Sequence, residues 1–77
     1  MVESDGLHVD VVDDEIIVSQ PGTYYSVTYY KRENDHQLYA KKFPMQVDRR
    51  SLMSQAEFLA KAWRRANDKA RELGWIV

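Results

Sequence analysis

Rings and cations recur at alternate positions through the middle of the chain. In extended backbone a period of two puts Tyr24, Tyr30 and Arg32 on one side, and likewise Tyr39, Lys41 and Phe43. Aromatic faces interleaved with guanidinium and ammonium groups suit two chemistries. They can anchor a protein partner, since interface energy concentrates in Tyr and Arg. They can also stack the bases of a single strand while neutralising phosphate, at about 1–3 kcal/mol per base. The candidate binding residues are therefore Tyr24, Tyr30, Tyr39, Phe43, Arg32 and Lys41. Protein, a second copy of the chain included, is the expected partner, and single-stranded nucleic acid is the alternative. No RNP-type motif is present, the pI of about 6.1 is not basic, and the acidic N-terminal segment repels phosphate. A solvated sheet with cross-strand aromatic pairs is the third possibility.

Catalysis and metal binding have little support. His8 and His36 are isolated and there is no cysteine, so neither a nucleophile–base pair nor a thiolate metal site is suggested. His8 and Asp10 fall on neighbouring sides of a weak strand, and His36 borders a turn. No Gly-rich phosphate loop occurs. The chain is expected to be a non-enzyme without cofactor or metal. Lys61, Arg64, Arg65, Lys69 and Arg71 are interrupted by Glu57, Asp68 and Glu72 and suit a solvated helix face, with Glu57 and Lys61 at the favourable i,i+4 spacing. Lys41, Lys42, Arg49 and Arg50 flank the connection before that helix without defining a ligand.

Seventy-seven residues make one small domain, with residues 1–6 expected to be flexible. A chain this short buries only about 60% of its unfolded surface, so its core is marginal and oligomerisation would help it. Disulfides are excluded. The net charge of −1 conceals a split. Residues 1–30 hold six acidic side chains and no lysine or arginine, while the remainder carries all 11 basic ones and a balance of +5. No long apolar run suggests a membrane span and the N-terminus is not signal-like, so a cytoplasmic location is expected.

The elements that must position these residues are legible from periodicity. Segments 15–20, 23–32 and 36–43 are expected strands, and residues 7–12 a weaker first one. Pro21–Gly22 and Asn34–Asp35 supply turn chemistry, and Pro44 ends the third strand. The first of these turns suits a type II geometry that favours a wider loop than two residues. A capping box at Ser54 and Glu57, a staple of Met53 on Phe58 and a C-cap at Gly74 predict a helix from about Gln55 to Leu73. Its apolar stripe is Ala56, Leu59, Ala62, Trp63, Ala66, Ala70 and Leu73. Trp63→Ala is accordingly expected to be the most damaging change, at about 3–5 kcal/mol.

The fold class expected is α+β, an antiparallel three- to four-stranded meander with the C-terminal helix on one face. Two-residue loops would set Val18 opposite Tyr25, Ile16 opposite Val27, Tyr29 opposite Ala40 and Tyr30 opposite Tyr39. The helix would then cover Ile16, Val18, Tyr25, Val27, Tyr29, Leu38 and Ala40. Tyr24, Tyr30, Tyr39, Phe43, Arg32 and Lys41 would stay on the open face.

The stretches DDEIIV, GTYYSVTYYK and AKAWRRANDKARELGWIV together resemble a family of short bacterial proteins of uncharacterised function, over most of residues 13–77. The resemblance implies a bacterial, stand-alone protein ending naturally at Gly74 to Val77. It implies no activity and no functional residue.

Overall fold

A computed structural model describes residues 6–44 and 48–76. Expectations for residues 1–5, Val47 and Val77 lie outside the described residues. Four strands, β1 (His8–Val12), β2 (Glu15–Ser19), β3 (Ser26–Lys31) and β4 (Leu38–Lys41), precede one helix, α1 (Gln55–Glu72). The strands form one antiparallel sheet in the order β1-β2-β3-β4. This is the α+β meander with a single C-terminal helix on one face. The weakly patterned first strand is real, closed on β2 by Asp13 and Asp14, with Asp13 at φ 56°.

Turn chemistry sets the registers. Gly22 takes φ 84° in a turn closed by Thr23 N–H donating to the Gln20 carbonyl (3.2 Å), as a type II turn requires at its third residue. Gln20 N–H also donates to the Tyr25 carbonyl (3.0 Å), so the connection is wider than two residues. Val18 therefore faces Val27 and Ile16 faces Tyr29, two places from the register of a minimal loop. A slip of two keeps every side chain on its own face, whereas a slip of one would exchange the faces. Between β3 and β4 the expected pairs Tyr29–Ala40 and Tyr30–Tyr39 are present.

The core lies between the sheet and α1. It comprises Ile16, Val18, Tyr25, Val27, Tyr29 and Leu38 below and Phe58, Ala62, Ala66 and Ala70 above. The buried helix residues follow a strict i,i+4 row. Phe58, expected only as the staple partner of Met53 and outside the stripe, is 0% exposed and stacks on Tyr25 with centroids 5.0 Å apart. Trp63, expected to be a buried member of the stripe, is 46% exposed and leans on Tyr29 at 5.7 Å. Three alanines draw the helix so close to β2 and β3 that bulk fits only at its ends and flanks. Ala56 and Leu73 are likewise exposed. Ala40 lies on the helix side yet is exposed, because α1 packs chiefly on β2 and less on β3, and of β4 only Leu38 is drawn into the core.

The helix ends are built locally. Ser54 Oγ accepts from Glu57 N–H (3.1 Å), and the Glu57 carboxylate lies 3.6 Å from Lys61. At the other end Gly74 (φ 80°) donates to the Arg71 carbonyl and Trp75 N–H to that of Ala70, a Schellman motif. That reversal folds Ile76 into the core and sets Trp75 against it. Burial pushes the Tyr29 hydroxyl up to about 12.

Lys42, just past β4, holds φ 54° although it has a Cβ. The left-handed region costs an L-residue about 1–2 kcal/mol, part of which glycine returns through its larger unfolded-state entropy. Lys42→Gly should therefore stabilise the fold by about 0.5–1 kcal/mol, read as a higher urea midpoint at unchanged slope.

Candidate functional site

The sheet face opposite α1 presents alternate residues of every strand: His8, Asp10 and Val12 from β1, Glu15, Ile17 and Ser19 from β2, Ser26, Thr28 and Tyr30 from β3, and Tyr39 and Lys41 from β4. No helix or strand among the described residues covers it. Its organised part lies at the β3–β4 end. Tyr30 and Tyr39, direct cross-strand partners, have centroids 5.8 Å apart at 33°. The Arg32 guanidinium carbon stands 4.3 Å from the Tyr39 ring centre, and the Lys41 ammonium 5.5 Å from that of Tyr30. Each cation is thus placed over one ring, the geometry of cation–π attraction.

The surroundings fix this arrangement. Tyr39 O–H donates to Asp35 (2.8 Å) and accepts from Gln37 Nε2 (3.3 Å). Asp35 in turn is held in a tight turn, its N–H donating to the Arg32 carbonyl, with Asn34 at φ 70°. Lys31 Nζ closes the turn from behind by donating to the carbonyls of Arg32 and Asp35. Lys41 forms an ion pair with Glu15 two strands away, and that hydrogen bond first of all raises its basicity. A hydrogen bond to Tyr30 chiefly does the same for Arg32. Thr28, with Ile17 and Lys41 as its register neighbours, is only 7% exposed despite facing outward.

Four of the six residues expected to bind come together here: Tyr30, Tyr39, Arg32 and Lys41. Phe43 lies beyond the end of β4, half exposed. Tyr24 is placed elsewhere. It belongs to the wide Gln20–Tyr25 loop, is 82% exposed, and has the Arg50 guanidinium carbon 4.0 Å from its ring centre.

That second cluster centres on Asp48, a residue that sequence patterning passes over. Its side chain is 6% exposed and accepts from Tyr24 N–H (2.5 Å), Arg50 N–H (2.9 Å), Arg50 Nε (3.1 Å) and Arg50 Nη2 (2.9 Å). Its own N–H donates to the Tyr25 hydroxyl (3.1 Å), giving that core tyrosine a polar partner. The Arg50 side chain first, and then the two backbone donors, hold the Asp48 carboxyl well below the usual carboxylate range. Ser51 Oγ reaches Gln20 (2.6 Å) from the same turn. The signal available in sequence was Asp48 as a turn initiator, closed by Ser51 N–H on the Asp48 carbonyl. The cluster ties the helix approach to the sheet and is saturated by its own partners.

His8 and Asp10 fall on one face, not on neighbouring sides, and meet at 3.1 Å; both are exposed. Among the described residues no group of three or more His, Asp or Glu comes together as a metal site. No helix of the described residues is long and apolar enough to cross a membrane.

Fold and surface together define a small α+β sheet protein with one helical layer and one open aromatic face. Comparison with family models, curated proteins and solved structures finds no match.

Proposed function

We propose that the chain is a non-enzymatic interaction module that takes a protein partner on the open face, around Tyr30 and Tyr39. The observation that carries this is the cation-capped ring pair, held by Asp35 and Glu15 on a sheet face without a covering layer. Rings fixed before binding lose little conformational entropy on contact, which favours affinity per residue. The same geometry weakens the nucleic-acid alternative. Stacking a base needs a free ring face, and here Arg32 and Lys41 already occupy faces of Tyr39 and Tyr30. Glu15 also neutralises Lys41, and Asp10 adds negative charge on the same side.

A photo-crosslinking side chain at position 30, with one at exposed position 64 as control, tests this in cells that naturally make the protein. Protein adducts from position 30 alone are expected. Adducts dissolved by nuclease, or equal labelling from both positions, would overturn it. Titration with a labelled oligonucleotide should show no salt-dependent binding between low and moderate salt.

A further inference from the structure

We infer that a second copy of this chain pairs with the free edge of β4, antiparallel and centred on Ala40, to make one eight-stranded sheet. This goes beyond the open-face reading: its surface is the edge of the sheet and the strip beside the helix, with Tyr39 and Lys41 of the open face at its border. β4 is an end strand with no neighbour beyond it among the described residues, so one row of its backbone donors and acceptors is open to another strand.

The register follows from the side chains. Centring the two-fold axis on Ala40 sets Ala40 against the partner's Ala40 and Tyr39 against the partner's Lys41, twice by symmetry. The aliphatic stem of Lys41, whose ammonium stays turned inward to Glu15, then lies beside a ring across the seam, and like charges are not directly opposed. On the helix side the small exposed Ala40 is the register neighbour of Tyr29, over which the half-exposed Trp63 ring leans. Across the axis the two indoles then flank the paired alanines. This accounts together for a bare alanine on the core side, an exposed tryptophan beside it and a helix displaced toward β2. The other edge is a poorer seam, since the β1 hairpin carries Asp10, Asp13 and Asp14 and self-pairing would crowd six carboxylates. A 77-residue chain also gains the burial that its size denies it.

The absence of cysteine makes the test clean. Single-cysteine variants Ala40→Cys and, at the other edge, Val11→Cys are oxidised gently and run without reductant. Facing residues of an antiparallel pair lie within the span a disulfide bridges, so Ala40→Cys should cross-link as a dimer and Val11→Cys should not. Sedimentation of the unmodified chain should show twice the monomer mass at high concentration. Ala40→Glu, which opposes two carboxylates on the axis, should restore the monomer with an unchanged circular dichroism spectrum. Tyr30→Ser should remain dimeric even where its partner binding is lost, which separates this inference from the open-face reading. A wild type that stays monomeric throughout, or equal cross-linking from positions 11 and 40, would overturn it.

Discussion

Phe58→Ala is expected to cost about 3–5 kcal/mol, the range for emptying a buried aromatic site. Small domains hold only about 5–15 kcal/mol in total, so the variant should lose much of its stability. The ring is fully buried, stacks on Tyr25 and sits where the helix begins, beside the Asp48 turn. Its neighbours in the i,i+4 row are alanines, which have no side-chain reach with which to refill the space. Trp63→Ala removes more atoms but from a half-exposed flank, and should cost about 1–2 kcal/mol. Urea unfolding followed by far-ultraviolet circular dichroism compares the two without relying on the tryptophan signal that one of them removes. Equal midpoints for the two variants would show that the helix is rotated from the packing described.

That inversion of Phe58 and Trp63 illustrates how far the sequence could be followed. Strand and helix positions, the faces of β2, β3 and β4 and both helix caps were legible, because period two, period 3.6 and the glycine and serine caps act locally. The depth of each helix residue was not. The stripe drawn at 100° per residue held Ala62, Ala66 and Ala70 together with the Leu59–Trp63 flank and left Phe58 just outside, and only the spacing of α1 above the sheet shows which side of it is deepest. The alanines set that spacing, so the composition held the cue while the geometry was tertiary. The β2–β3 register was offset because Gln20 and Tyr25 close a loop wider than its two turn residues. Within the candidate surface, the Tyr30–Tyr39 pair followed from register alone. Tyr24 did not, because alternation ends where the chain leaves the strand, and Glu15 joined the surface through the pairing of β2 with β3. Asp48 depends on contacts 23 and 24 residues back along the chain, beyond any local pattern.

Asp48 also governs the second large effect. Asp48→Ala removes the acceptor of the Tyr24 and Arg50 backbone donors and the counter-ion of Arg50 at once, and an unpaired sheltered donor costs more than its bond contributed. The melting temperature should fall by about 5–10 °C. Asp48→Asn retains one acceptor oxygen but loses the charge, and it isolates the pH dependence. Because the folded carboxyl is held below its unfolded value of about 3.9, the unfolded chain binds more protons in the interval between the two, and stability there rises with pH. Asp48 therefore contributes fully above about pH 4, and the contribution is lost as pH falls through the lower folded value. Wild type should lose melting temperature between pH 4 and pH 2 more steeply than Asp48→Asn, the remaining carboxylates titrating alike in both, so that the two curves converge toward acid. Parallel curves across that interval would mean that the Arg50 pairing and the two backbone hydrogen bonds do not hold the Asp48 proton off in the folded state.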